Sequence, residues 1–267
     1  MAVLLPACAV APRPKTGPYH PSDALVSVTR IVHGSYLLDF AGVRILVDPW
    51  YFPRGLLSQR EPLGLTPRSL PAIHAILITH DHGDHLDPKA LAALANRSIP
   101  VIVRRGLGDA VRGAGYARVT ELAWWESTQV ADLTIHAVPA DHTAAENGYV
   151  LQAQEAVVYA AGDTRYFSGL EEIARRFPRL DVAILPVGGL RLLGVLTEMG
   201  PREATRAVET LQPRRVIPVH YAATGLPLIH WTVRNATDKL RRALRATGLE
   251  DRLVVLTTGE SWHYFGE

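Results

Sequence analysis

The chain contains four short apolar runs, and each leads to a histidine or an aspartate. Residues 75–79 lead to His80, 135–139 to His142, 157–161 to Asp163 and 216–219 to His220. Short runs rich in β-branched residues predict buried strands. Layered α/β proteins bind ligands at the carboxyl ends of their strands. The pattern therefore predicts an α/β fold with a ligand site at that edge.

The first run continues into a dense cluster of metal-ligand side chains. His80, His82, Asp84 and His85 fall within six residues of one another. Imidazole nitrogen and carboxylate oxygen suit Zn²⁺, and also Fe²⁺ or Mn²⁺. On a loop after a strand, the first two side chains can point one way and the last two another. One segment can therefore supply ligands to two adjacent metal positions.

Each of the three later residues could also have an ordinary structural role. His142 could be a loop histidine, and His220 could be a core histidine with satisfied hydrogen bonds. Asp163 stands in Gly-Asp-Thr, which is favourable turn chemistry. Together with the first cluster, however, they favour a metal site.

These motifs resemble the metallo-β-lactamase superfamily, whose signature is His-x-His-x-Asp-His followed by a later His, an Asp and a final His. The chain is also similar to the branch of ascorbate-phosphate lactonase-like and N-acyl-phosphatidylethanolamine phospholipase D-like proteins. The segments that carry this branch resemblance are 32–38, 42–50, 84–87, 121–126, 161–164, 199–204 and 217–221. The resemblance covers about residues 25–265 and implies a four-layer αββα sandwich.

The resemblance also implies a ligand set for two divalent cations, with Zn²⁺ preferred and Mn²⁺ or Fe²⁺ acceptable. One cation would be held by residues matching His80, His82 and His142. The other would be held by residues matching Asp84, His85 and His220. Asp163 would bridge the two. A hydroxide shared by the cations would be the nucleophile, so Asp84 and Asp163 are predicted to be catalytic as well as ligating.

Three further residues are candidates for supporting roles. Asp48 follows an apolar run and precedes Pro49, so it either accepts a hydrogen bond from a ligand imidazole or ends the strand in a turn. His33 either contacts the substrate as a proton donor or is a buried structural residue. Asp81 either shuttles protons or orients the loop and its ligands.

Composition limits the domain organisation and the partners. The 267 residues are 48% hydrophobic with a net charge of +2, and they contain one cysteine. Residues 25–267 are predicted to form one hydrolase domain. Because the arginines are spread along the chain, no nucleic-acid-binding surface is expected. We expect a small-molecule or lipid-like substrate, and the sequence gives no prediction of oligomeric state.

Residues 1–24 are predicted to be a flexible tail outside this domain. Leu5-Pro6-Ala7-Cys8 resembles a lipoprotein processing box followed by a proline-rich tether. The first ten residues are too short for a transmembrane helix and lack a basic start. We favour an ordinary tail on a cytoplasmic protein. The alternative is a remnant of a lipoprotein signal, with membrane anchoring through Cys8.

Periodicity and turn residues predict the order of the elements. The predicted strands are 25–32, 35–40, 44–48, 75–79, 101–104, 133–139, 148–152, 156–161, 181–186, 215–219 and 252–257. The predicted helices are 88–95, 169–176, 201–211 and 232–247, the first capped by Asp87 and Pro88. The stretches 50–72 and 187–200 lack periodicity and are long enough to form loops over the site.

The sequence thus predicts a dinuclear metal-dependent hydrolase acting on an ester, a lactone or a phosphodiester. The alternatives are a phospholipase D-like phosphodiesterase and a metal-binding protein without turnover. Diiron oxidoreduction is disfavoured, since those relatives typically carry Glu where this chain has His82. Four arginines are candidates for holding an anionic substrate group, although each could also be a solvated surface residue: Arg54, Arg60, Arg165 and Arg191.

Overall fold

The computed structural model describes residues 19–54, 57–225 and 230–266. In chain order the strands are β1 (Val26–Val32), β2 (Ser35–Phe40), β3 (Val43–Val47), β4 (Ser58–Gln59), β5 (Ala75–Ile78), β6 (Val101–Arg104), β7 (Val119–Leu122), β8 (Ser127–Val130), β9 (Leu133–Pro139), β10 (Asn147–Gln152), β11 (Val157–Ala160), β12 (Val182–Pro186), β13 (Arg191–Leu192), β14 (Val195–Leu196), β15 (Arg215–Val219), β16 (Ala223–Thr224), β17 (His230–Trp231) and β18 (Ser261–Tyr264). The helices are α1 (Pro88–Ala93), α2 (Gly108–Gly113), α3 (Gly169–Arg176), α4 (Pro201–Leu211) and α5 (Ala236–Ala246).

Most strands form two large sheets. The first has seven strands in the order β18-β1-β2-β3-β5-β6-β7, and the second has six in the order β15-β12-β11-β10-β9-β8. A small sheet joins β14, β13 and β17, and β4 pairs with β16. Each large sheet begins as an antiparallel meander and continues with parallel strands.

The buried side chains show that the two large sheets pack face to face with helices outside both. One apolar cluster lies between the sheets and includes Leu38 and Leu77 of the first sheet with Tyr149 and Val158 of the second. A second cluster packs α3, α4 and α5 on the outer face of the second sheet. A third packs α1 and α2 on the outer face of the first. The predicted αββα sandwich is therefore confirmed.

Local sequence explains where the best-predicted helices begin. The carboxylate of Asp87 accepts a hydrogen bond from the Lys89 amide at 2.9 Å, and Pro88 is the first residue of α1. Pro201 likewise starts α4, whose buried face contains Ala204, Ala207, Val208 and Leu211.

Strand direction brings the predicted ligands to one edge. β3 and β5 run parallel in the first sheet, and β11, β12 and β15 run parallel in the second. β9 has the same direction as β11 because both are antiparallel to β10. Polar site residues therefore follow the carboxyl ends of β3, β5, β9, β11 and β15, as the apolar runs predict.

The predicted strand at 252–257 is wrong. Residues 250–252 form a 3₁₀ turn, and Leu253 makes only one bridge, to Val216. The chain then leaves the second sheet, turns at Gly259 with φ of 79°, and enters β18 on the first sheet. An apolar crossover between two sheets has the same composition as a buried strand, which explains the error.

Residues 19–24 contact the first sheet. The Tyr19 hydroxyl donates to the carboxylate of Asp39, and Ala24 is buried. Residues 1–18 of the predicted tail, with Cys8, lie outside the described residues, so the tail and its boundary stay predictions. Within the described residues, none of the helices is both long and apolar enough to cross a bilayer.

Candidate metal centre

All seven predicted ligands meet at the edge where the two sheets join. The side chains of His80, His82, His142 and Asp163 place one donor atom each within 4.8 Å of one another, and we call these the first donor group. His85, Asp163 and His220 do the same, as do His33, Asp84 and His220. Residues 80–85 come from the first sheet, and the later residues come from the second.

The donor atoms converge closely. The Nε2 atoms of His85 and His220 are 3.2 Å apart, and both lie 3.1–3.2 Å from Oδ2 of Asp163. Oδ2 of Asp84 is 3.3 Å from the same Nε2 of His220. In the first donor group, Nε2 of His142 is 3.1 Å from Nδ1 of His82.

Acceptors on the far side of the rings determine which nitrogen faces inward. Nδ1 of His85 lies 2.8 Å from Asp48, Nδ1 of His142 lies 2.7 Å from the Thr197 carbonyl oxygen, and Nδ1 of His220 contacts Glu198. Nδ1 of His80 lies 3.1 Å from Glu146. Four imidazoles are therefore held on Nδ1, which leaves Nε2 toward the centre, as a metal ligand requires.

His33 has a different arrangement. Its Nδ1 accepts a hydrogen bond from the Ala222 amide at 3.1 Å, so the proton of the neutral ring is on Nε2. That Nε2 lies 3.4 Å from Asp84. Burial, reinforced by His220, lowers the pKa of His33 to about 3, so the ring is neutral. His33 therefore points an N–H at Asp84 rather than a lone pair at a cation. We call His85, Asp163 and His220 the second donor group, and we include Asp84, whose Oδ2 lies 3.3 Å from Nε2 of His220 and 3.8 Å from Nε2 of His85.

The charges of the centre are set by burial and by mutual attraction. Burial lowers the pKa of His80 well below its usual value, which keeps that ring neutral. Burial alone would also lower the pKa of His85 and His220. Nearby carboxylates, chiefly Asp163, instead raise the pKa of both well above its usual value. Burial would raise the pKa of Asp84, yet His85 and His220 hold it well below its usual value, so Asp84 is ionised.

Left-handed backbone positions three of these side chains. His33, Asp48 and His220 have φ of 49°, 42° and 58°, and each follows directly after a strand or lies in a tight turn between strands. Non-glycine residues seldom adopt this conformation, and strained backbone clusters at functional sites. The amide of His220 also donates to the carbonyl of His33 at 3.0 Å, which joins the two sheets at this point.

The other two predicted supporting residues, Asp48 and Asp81, differ in their position relative to the donor groups. Asp48 accepts from both the amide and the hydroxyl of Thr79, at 2.9 and 2.8 Å, while it holds His85. Asp81 is exposed and belongs to neither donor group.

Two buried glutamates at the centre were not predicted. Glu146 lies beside His80 and accepts the Asp163 amide at 2.7 Å; burial, then the Asp163 charge, raises the pKa of Glu146 well above normal. Glu198 contacts His220, and burial raises its pKa to about 7. Neither has metal-ligand spacing. The available signal for Glu198 was that it is the only charged residue between Arg191 and Arg202.

A cavity of about 440 Å³ opens onto the donor atoms. Its size is within the range of about 300–1,000 Å³ that is usual for ligand sites. Leu57 and Arg60 from stretch 50–72, together with Leu190 and Leu192 from stretch 187–200, line it. Both aperiodic stretches therefore border the site, as expected for site loops.

Comparison with known proteins agrees with this geometry. Residues 43–221 match the family described as the beta-lactamase superfamily domain. The chain belongs to the metallo-β-lactamase superfamily. One curated relative in that group, a UPF0173 metal-dependent hydrolase of Pyrobaculum calidifontis, is 34% identical over 221 residues, covering 80% of this chain and 91% of its own. The predicted enzyme class, a metal-dependent hydrolase, is confirmed.

Solved structures that share this fold carry names of different reactions. An isothiocyanate hydrolase from Delia radicum gut bacteria superposes with a TM-score of 0.72 at 20% identity, covering 90% of this chain and 100% of its own. CmlA, a diiron β-hydroxylase from Streptomyces venezuelae, superposes with 0.71 at 19% identity, covering 91% and 55%. Within the superfamily the fold alone therefore does not determine the reaction.

Proposed function

We propose that this chain is a dinuclear hydrolase that cleaves an ester, a lactone or a phosphodiester. The observation that supports it best is the pair of donor groups that share Asp163 at the floor of one cavity. Each group has three donors of its own and shares Asp163, which would leave a coordination position open, as in catalytic rather than structural sites. The donors are nitrogen and oxygen only, so Zn²⁺ is the preferred cation, and Mn²⁺ or Fe²⁺ is acceptable.

The buried donor atoms fit divalent cations. Nε2 of His80 and Oδ1 of Asp163 are buried and have no hydrogen-bond partner among the described residues. Unpartnered buried polar atoms are costly unless something else satisfies them. One cation would be held by His80, His82 and His142, the other by Asp84, His85 and His220, with Asp163 serving both. Two bound cations would lower the pKa of a water molecule and polarise the C=O or P=O bond under attack.

The protein itself supplies orientation. Asp48, Glu198 and the Thr197 carbonyl hold the ligand imidazoles from behind, so their inward nitrogens need little reorganisation. The Nε2 proton of His33 faces Asp84, which favours the ionised form of that carboxylate.

Water is the proposed nucleophile. The described residues that line the cavity include no serine, cysteine or lysine that could form a covalent intermediate. Hydrolysis then adds the OH of water to the acyl or phosphoryl centre and its H to the leaving oxygen. An ester gives an acid and an alcohol, and a lactone gives a hydroxy acid.

Metal analysis together with two model substrates tests this function. We expect two cations per chain, with cleavage of bis(p-nitrophenyl) phosphate or of a simple lactone. Asp84→Ala and His220→Ala should each abolish turnover with little change in circular dichroism, because they remove ligands at the cavity rather than core side chains.

Asp132→Ala is the matched control, since Asp132 is exposed beside the amino end of β9, away from the ligand edge. It should retain full activity. Two bound cations without turnover of any substrate would favour a metal-binding protein instead. Full activity in the Asp84 variant would remove the second donor group from the mechanism.

A further inference from the structure

The walls of the cavity above the donor groups are mainly apolar. Leu57, Leu190, Leu192 and Ala223 line it, together with three threonines. Leu192 lies opposite His230 in the pairing of β13 with β17, and both residues line the cavity. The small sheet therefore presents one face to the site. A substrate held between this wall and the metal ligands buries hydrocarbon next to its scissile bond.

Arg60 is the only lysine or arginine among the described residues of that lining. Its backbone position is fixed, since it directly follows β4, β4 pairs with β16, and its amide donates to the Ala222 carbonyl at 2.9 Å. In the part of the chain that the structure describes, its guanidinium makes no ion pair or hydrogen bond. It is an unpaired cation at a cavity that also presents an apolar wall and the candidate metal ligands.

The other three candidate arginines are engaged elsewhere. The Arg54 guanidinium donates to the Leu86 carbonyl at 2.5 Å, and Arg165 pairs with Asp141 at 2.6 Å. Arg191 donates to the Gly194 carbonyl at 3.0 Å within its own hairpin. None of these three lines the cavity. Arg60 is therefore the one of the four that can bind an anion there.

We propose that the substrate is an amphiphilic anion, with a hydrocarbon chain against Leu57, Leu190 and Leu192 and a carboxylate, phosphate or sulfonate-like group on Arg60. This assignment rests on the proposed hydrolase function and deepens it. A guanidinium binds such groups through paired N–H donors. The scissile bond then lies over Asp163, between the chain and the metal ligands.

Binding of straight-chain alkanesulfonates tests the proposal without turnover, because a sulfonate is a weak metal ligand and a good partner for arginine. Ethane-, butane-, hexane- and octanesulfonate are titrated into the metal-loaded full chain by calorimetry, with 1-octanol as the neutral probe. We expect Kd to fall by about fourfold per methylene while the chain covers apolar wall.

Variants test the arginine and the apolar wall of the cavity separately. Arg60→Gln should weaken octanesulfonate by about tenfold or more and leave 1-octanol unchanged. Arg60→Lys should be intermediate because it keeps the charge and loses the paired donors. Leu192→Ser should flatten the chain-length dependence. Arg68→Gln, which changes an exposed arginine outside the cavity, should bind like the wild type.

Two results of the binding experiment would overturn the proposal. One is octanesulfonate binding that is equal in the wild type and Arg60→Gln, and the other is an affinity independent of chain length. Hydrolysis of p-nitrophenyl acetate and octanoate with equal kcat/KM would also reject the apolar wall, while the hydrolase function stands. Sulfonate binding as expected, with no turnover of any substrate, would instead reject the hydrolase function. The proposal that the cavity binds amphiphilic anions would then stand.

Discussion

At the scale of single residues, the centre is organised by what lies behind the ligands. Glu198 accepts the Leu190 amide at 3.1 Å through one oxygen and contacts Nδ1 of His220 with the other. Thr197, its neighbour, accepts from His142 through the backbone carbonyl. One dipeptide therefore orients a histidine of each donor group.

Glu198→Gln is expected to weaken metal binding by about 10–100-fold. A glutamine has one acceptor oxygen, which cannot serve both the Leu190 amide and the His220 ring. Competition with a chromophoric chelator measures the affinity. Glu209→Gln, on the exposed face of α4, is the control and should bind metal like the wild type. Equal affinity in both variants would show that Glu198 does not orient His220.

Metal affinity is expected to rise with pH. In the metal-free protein, Asp163 raises the pKa of His85 and His220 well above normal against the effect of burial, and their Nε2 atoms are 3.2 Å apart. The pair therefore holds a proton at neutral pH, which a cation must displace. Titration between pH 6 and 8 should show tighter binding at the higher pH. Calorimetry in two buffers of different ionisation enthalpy should show net proton release, and proton uptake would contradict the expected sign.

At the scale of elements, the connection from β12 to β13 is packed directly against the centre. A Cβ atom on Gly188 would lie 2.1 Å from the His220 carbonyl oxygen and 2.6 Å from Oε1 of Glu198. Only glycine fits there without a backbone shift. This close approach places the start of the hairpin beside a ligand of the second donor group.

Gly188→Ala is expected to reduce the free energy of unfolding by about 1–3 kcal/mol, because the added methyl group overpacks the site. Metal affinity should fall in parallel as His220 is displaced. Gly113→Ala is the matched control, since a Cβ there meets nothing within 4 Å and Gly113 ends α2. Urea unfolding of both variants gives the comparison; an unchanged midpoint for Gly188→Ala would refute the close approach.

The sequence predicted those elements whose pattern is dominated by burial. β2, β6, α3 and α4 have the predicted bounds, because buried faces and turn residues leave a clear period. Nine of the described strands and helices escaped prediction: α2, β7, β8, β18 and the two-residue strands β4, β13, β14, β16 and β17. β7 and β8 are edge strands with mostly polar or half-exposed side chains, and α2 both begins and ends at a glycine.

The candidate site, like the elements, was predictable only where its residues follow a local pattern in the sequence. The candidate ligands follow apolar strands, so His142, Asp163 and His220 could be located from local sequence. Glu146 and Glu198 act through contacts between segments far apart in the chain, for which local sequence holds no period. The choice of Arg60 among four arginines likewise depends on tertiary pairing.

At the scale of the whole molecule, each donor group draws on both sheets. Hydrogen bonds across the sandwich set the distance between them: the Tyr149 hydroxyl of β10 donates to the Ile78 carbonyl of β5 at 2.9 Å, and the Asn147 amide donates to the Thr79 carbonyl at 3.2 Å. Both contacts lie directly beside His80. The sheet junction and the candidate metal centre therefore occupy the same part of the molecule.

Removal of metal is expected to lower Tm. Cations that bind only the folded chain stabilise it, and here their proposed ligands come from both sheets. Tyr149→Phe should lower the unfolding free energy by about 1 kcal/mol through loss of the inter-sheet hydrogen bond. Scanning calorimetry with and without a chelator measures both effects. Tyr166→Phe, which loses a hydroxyl contact with Thr210 of α4, is the control for a bond that does not join the two sheets. An identical Tm with and without chelator would show that metal binding does not stabilise the junction between the sheets.

The division of the candidate ligands between the two sheets also links the site to folding. The first sheet carries His80, His82, Asp84 and His85, whereas Asp163, the residue common to both donor groups, follows a strand of the second. The second sheet in turn lacks those four side chains of the first sheet. If the proposed function holds, neither donor group is complete until the two sheets have docked, so metal binding is expected to be coupled to folding.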